Sequence, residues 1–214
     1  MYRTLSSTVG VIIAVTALGA TGGALAVTGG TVDTTDTNVG ALVGVVPSGA
    51  EQLFCSGTLI APRVFLTAAQ CIQNIEALPG ARVAAAFDTT FDAASPKPKL
   101  RHARDQPVFL QSQSDPENLA VVLLDAAPAG IAPVNVVPQT GYLDTLALDA
   151  AVFENVGYGV SDPVNQPKGP TIEGAGTRRA SFSSFDSLTK GLLRLKQNQG
   201  FGGTCTGDSG GRSS

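Results

Sequence analysis

Short apolar runs alternate along this chain with clusters of glycine, proline and small polar residues. Asn38–Val46 (NVGALVGVV) stops at the turn cluster Pro47-Ser48-Gly49. Leu53–Ile60 leads into Ala61-Pro62-Arg63, and Val64–Ala68 follows. Arg82–Phe87, Pro107–Leu110 and Leu119–Leu124 (LAVVLL) are the next strand candidates. Continuous apolar runs of this length suit strands buried on both faces, as in a closed barrel. Pro128, Pro133 and Pro138 then punctuate a linker over Ala126–Pro138. Beyond it, Ala151–Tyr158 (AVFENVGY) and Thr177–Phe182 are the clearest strands. Helical pattern is confined to Ala68–Asn74 and a turn near Ser187–Leu195. No tandem repeat interrupts this outline of two all-β halves.

Composition supports that outline. Hydrophobic residues make up 43% of the 214, charged residues 14%, and there are 25 Gly and 13 Pro. A disordered chain needs low hydrophobicity and high net charge, so this one is expected to fold. A net charge of −3 provides no basic footprint for nucleic acid, which leaves a peptide or protein as the expected partner.

The N-terminus reads as an export signal. Arg3 precedes the apolar core Val9–Leu18 (VGVIIAVTAL), and Ala24-Leu25-Ala26 matches the small-x-small cleavage pattern. The core is too short for a spanning helix, which needs roughly 20 apolar residues. Cleavage after Ala26 gives a secreted protein that begins at Val27 and has no membrane segment; an uncleaved anchor is the alternative. Export places Cys55, Cys71 and Cys205 in an oxidising compartment. Cys55 and Cys71 can pair across a loop between neighbouring strands. Cys205 is then left as a free thiol, an intermolecular bridge or a residue without its partner. One histidine and no CxxC pair give no basis for a zinc site, and no cofactor is implied.

The chemistry concentrates in two segments. Cys205–Gly211 (CTGDSGG) sets Ser209 among glycines, which allow the backbone to aim two N–H groups at one point. CSGTLIAPRVFLTAAQC (55–71) and CTGDSGG together resemble the trypsin/chymotrypsin-like serine endopeptidases, most closely bacterial secreted members. VTGG (27–30) resembles their mature N-terminus, and NLAVVLL (118–124) their catalytic-aspartate strand. VGYG (156–159) resembles a Gly-aromatic-Gly element of the second half, and all five motifs fall in the family's order.

The resemblance implies an all-β fold of two six-stranded antiparallel β-barrels. Residues 1–26 would be the signal peptide, 27–130 the first barrel and 131–214 the second. It implies Ser209 at the nucleophile position, with Gly207 and Ser209 supplying the oxyanion N–H groups. It also implies a Cys55–Cys71 disulfide and an ion pair between Asp208 and a freed Val27 ammonium. Family members continue for several strands and a helix beyond the position of Gly211. The second barrel is therefore expected to be truncated and incomplete, with Cys205 separated from its partner.

Two replacements set expectations for catalysis. Gln70 stands where the family has the general-base histidine, and Asn118 where it has the orienting aspartate. An amide binds no proton near neutral pH, so the Ser209 hydroxyl would keep its proton while attacking. His102, in KLRHARD, lies on an expected exposed strand edge and is a poor substitute base. Asp115 and Glu117 neighbour Asn118, but a one-residue step along a strand turns the side chain to the other face. Gly203, six positions before Ser209, gives no acidic group to select Lys or Arg. The expectation is a serine-endopeptidase homologue, hence a hydrolase by family, with little or no peptide-bond hydrolysis. A non-catalytic pseudoprotease that binds peptides and a truncated product that does not fold are the alternatives. Oligomeric state is not legible in the sequence.

Overall fold

The computed structural model describes residues 30–94, 101–105, 108–109, 118–135, 141–160, 162–166, 169–173, 175–189, 192–196, 203–204 and 207–213. The signal segment 1–26, Val27, Asp115, Glu117 and Cys205 lie outside the described residues.

The first half comprises β1 (Thr31–Val32), β2 (Val39–Val45), β3 (Glu51–Ala61), β4 (Val64–Thr67), helix α1 (Ala69–Glu76) and β5 (Arg82–Ala86). It continues with β6 (Arg101–Asp105), β7 (Val108–Phe109) and β8 (Leu119–Leu124). The second half holds β9 (Val152–Gly157), β10 (Asp162–Gln166) and β11 (Gly169–Glu173). It ends with β12 (Arg179–Leu188), β13 (Leu193–Lys196) and β14 (Arg212–Ser213).

Strands run in the order β4-β3-β2-β5-β6-β8, and β8 pairs back onto β4, so six antiparallel strands close into a barrel. β7 pairs with the first residues of β8, Leu119 and Ala120, and β6 with its last, Leu123 and Leu124. The second sheet, β1-β12-β9-β14 with β13 on β12, stays open among the described residues. β10 and β11 form a separate hairpin. The all-β, trypsin-like double-barrel expectation holds, with the second barrel incomplete among the described residues.

The burial of β2 explains its unbroken apolar run. Leu42 points into the barrel, against Leu59, Phe65, Ile72, Ile75, Val83 and Val122. Val39, Ala41, Val43 and Val45 point outward and pack with Ala84, Ala86, Val156, Tyr158 and Ala180, where the second sheet meets the barrel. Strand alternation thus feeds two cores from one strand.

Two sequence expectations need correction. The helical turn near Ser187–Leu195 is a β-hairpin, with Ser187 opposite Arg194 and Leu188 opposite Leu193. Its strand pairing overrides a weak local helix preference. The segment around His102 is not an edge, because β6 lies between β5 and β8, with His102 opposite Ala84. Barrel closure gives this charged run a partner on each side. The linker also does more than connect, since the Val134 N–H donates to the Leu59 carbonyl at 2.9 Å and Ile131 packs against the barrel core. Finally, β1 lies early in the chain yet pairs with β12, so the N-terminal end of the described chain joins the second sheet.

Candidate functional site

Helix α1 carries Gln70. Ala68, at its N-cap, has no side chain able to cap the first N–H groups. Asn118, just before β8, supplies that function from the strand paired with β4. Its carbonyl accepts the Ala69 N–H at 3.4 Å, and its side-chain Oδ1 accepts the Gln70 N–H at 3.1 Å. The helix buries Ala69, Cys71, Ile72 and Ile75, which leaves Gln70 half-buried at the barrel rim.

The disulfide Cys55–Cys71 ties α1 to β3, as the resemblance implied. The next residue, Ser56, ties β3 to the segment that bears Ser209. Ser56 Oγ donates to the Gly207 carbonyl at 2.9 Å and accepts the Tyr158 N–H at 2.8 Å. The Ser56 N–H donates to the Ser209 carbonyl at 3.1 Å, while Thr67 Oγ1 donates to the Ser56 carbonyl at 2.7 Å. Two adjacent residues of one strand therefore hold the Gln70 helix and the Ser209 turn in fixed relation. Ser56 lies inside the quoted 55–71 segment, but nothing about a serine in a strand marks it as this junction.

The turn itself depends on left-handed backbone at Gly207 (φ 94°) and Gly210 (φ 84°). A Cβ at Gly210 would stand 2.5 Å from the Ser56 carbonyl oxygen, so both conformation and space demand glycine. Asp208 is 5% exposed, and its Oδ1 accepts the Gly159 N–H at 2.8 Å. Gly203 is buried, forming an isolated strand-like bridge.

Gln70, Asn118 and Ser209 meet in one line of hydrogen bonds. Asn118 Nδ2 donates to Gln70 Oε1 at 2.8 Å, and Gln70 Nε2 donates to Ser209 Oγ at 3.2 Å. The direction is fixed at its far end. A backbone N–H can only donate, so Asn118 must turn Oδ1 to it and Nδ2 toward Gln70. Gln70 must then receive on Oε1 and offer Nε2 to Ser209. The serine oxygen thus accepts from a group that carries its own protons and cannot take the hydroxyl proton.

A second polar cluster, which the sequence reading missed, lies behind the site. Arg178 is 1% exposed. Its Nε pairs with Asp33 Oδ2 at 3.0 Å, and its Nη1 donates to the carbonyls of Val39 at 3.3 Å and Phe87 at 3.1 Å. Nη1 also donates to the Tyr158 hydroxyl at 3.2 Å, and that hydroxyl donates to the Asp88 carbonyl at 2.6 Å. Burial pushes the Tyr158 phenol up to about 12 against the pull of Arg178. Burial also works to raise Asp33, but hydrogen bonds from Thr35 and Asp36 and the Arg178 charge outweigh it, so its carboxyl sits below the ordinary value. Among the described residues no group of three or more His, Cys, Asp or Glu side chains is arranged to hold a metal ion, and no helix is long and apolar enough to cross a membrane.

The sequence model described as Trypsin matches residues 28–212. The chain belongs to the trypsin family of serine peptidases, whose members act on peptide substrates. No curated protein sequence is significantly similar to it.

Proposed function

We propose that this protein is a secreted serine-endopeptidase homologue whose peptide-bond hydrolysis is lost or severely slowed. One observation carries the reading: Gln70 Nε2 donates to Ser209 Oγ at 3.2 Å. Ser209 holds the nucleophile position, but its neighbour cannot take the hydroxyl proton as the oxygen attacks. Asn118 keeps the place of an orienting carboxylate without the charge that would stabilise an imidazolium. Gly207 and Ser209 present the oxyanion N–H groups. Loss of the base from a triad of this kind costs on the order of 10⁶ in turnover, while an intact oxyanion hole retains about 10³–10⁴ over water.

Residues 1–26 direct export, 27–130 form the first barrel unit and 131–214 the second. Cleavage after Ala26 frees the Val27 ammonium to pair with Asp208. The partner is a peptide or protein. A second reading, a non-catalytic pseudoprotease that holds peptides without cutting them, draws on the same reversed hydrogen bond.

Hydrolysis of a reactive ester by the purified protein and its Ser209→Ala variant tests the proposal. A slow rate that vanishes with Ser209 supports a crippled enzyme. Equal background rates leave the binding role alone, and a rate typical of an intact protease overturns the proposal.

A further inference from the structure

The polarity of the Asn118–Gln70–Ser209 line determines what these three partly exposed residues can hold. Because Ser209 Oγ accepts from Gln70, its own proton is available to a ligand, and no hydrogen bond among the described residues takes it. Gln70 Nε2 carries a second N–H beside the one it gives to Ser209. The Asp208 carbonyl accepts the Gly211 N–H at 2.8 Å, which fixes the plane of the Asp208–Ser209 peptide. That peptide is trans, so the Ser209 N–H points away from the turn, opposite the carbonyl. The carboxylate of Asp208, the residue before Ser209, is buried and engaged with the Gly159 N–H. Ser209 and Gln70 thus offer a hydroxyl, a backbone N–H and an amide N–H as donors to a ligand.

We propose that this site is a receptor for the free C-terminal carboxylate of a peptide, held by the Ser209 hydroxyl and N–H and by the Gln70 amide. A carboxylate offers two oxygens with about four lone-pair sites, and hydrogen bonds to a charged acceptor are roughly twice as strong as neutral ones. An internal amide offers one neutral oxygen. A histidine at position 70 would place an acceptor beside Ser209, whereas the Gln70 side chain, held by Asn118, places a donor there. Asn118 is accordingly a positioning residue for the ligand. The proposal rests on the reading of the site as peptide-binding and adds which end of the peptide it takes.

The test compares two N-terminally labelled random hexapeptide pools, identical except that one ends in free carboxylates and the other in amides. Binding to the purified full-length protein is measured by fluorescence anisotropy at pH 7, with acetate alone as a competitor. The acid pool should bind about tenfold more tightly, as expected for charge-assisted hydrogen bonds gained. Equal affinity for both pools overturns the carboxylate inference yet leaves peptide binding standing, whereas no binding by either pool overturns both. Acetate that binds as tightly as the peptide acids shows a small-anion site and overturns the peptide assignment. In Asn118→Asp the carboxylate still accepts the Gln70 N–H but cannot donate to Oε1. Gln70 then turns its amide and presents an oxygen to the ligand, so the acid preference should disappear while the thermal midpoint stays. Gln70→Glu should abolish the preference as well. Equal losses for both pools in both variants would mark a purely structural role and overturn the assignment.

Discussion

Oδ1 of Asn118 accepts the backbone N–H of Gln70 at 3.1 Å, and this one contact sets the polarity of the whole site. It caps the helix that carries Gln70, and it dictates which atom of each amide faces its neighbour. Gln70 and Asn118 therefore act as one unit.

Coupled chemistry should show as non-additivity. Gln70→His alone provides a base without a charged partner, and Asn118→Asp alone provides no base. The double variant should raise Ser209-dependent ester hydrolysis by at least about 10² over either single change, since an asparagine in the aspartate's place costs about 10⁴ in an intact triad. The regained activity should rise with pH around the ordinary imidazole value near 6.5. Steady-state kinetics on the four proteins across pH decides the matter, and additive gains would sink the idea of a unit.

Asp33 should govern part of the acid limb of stability. Its folded carboxyl lies below the ordinary 3.8, so its contribution is complete above that value and is lost as pH falls through the lower folded value. Asp33→Asn should flatten the acid limb and leave the buried Arg178 charge uncompensated, at a cost of about 3–5 kcal/mol. Urea unfolding from pH 2 to 7 measures both effects.

Tyr158 should govern the alkaline limb with the opposite sign. Its phenol is raised from 10.0 to about 12, so between these pH values the unfolded chain has released a proton that the folded chain keeps. Stability should therefore fall as pH rises, by about 1.4 kcal/mol per pH unit. Tyr158→Phe should remove that slope while costing about 1–3 kcal/mol at neutral pH, through the two hydrogen bonds lost with the hydroxyl, to the Asp88 carbonyl and from Arg178 Nη1. Phenolate absorbance in the folded protein should show one tyrosine titrating late.

Ser56→Ala tests the junction between the halves. Two hydrogen bonds are lost, and the Tyr158 N–H and Gly207 carbonyl lose their partner, for a cost of about 2 kcal/mol. Any Ser209-dependent acylation should fall with it, because the turn loses its tether to β3. A variant of unchanged stability and unchanged Ser209 reactivity would show that the remaining bonds suffice.

Much of the site could be read in the chain before any coordinates. The order of the motifs placed Gln70, Asn118 and Ser209, and the fold brings them within hydrogen-bond reach of one another. Arg178 was not legible in that way. It sits next to Arg179 and both look like surface residues in sequence, yet Arg178, just before β12, is buried among its hydrogen-bond partners while Arg179 is half-exposed. Its partner Asp33 is 145 positions away, a separation that no local pattern can bridge.

The sequence by itself determined the β architecture, because apolar runs that must be buried on both faces leave few folds open. It also determined that the side chain at position 70 is no base, because protonation chemistry belongs to the side chain wherever it stands. Only the tertiary structure decided that Gln70 turns its nitrogen to Ser209. That orientation is set by a backbone N–H on one element and an amide from another, and hydrogen-bond direction between distant segments exists only once both are in place.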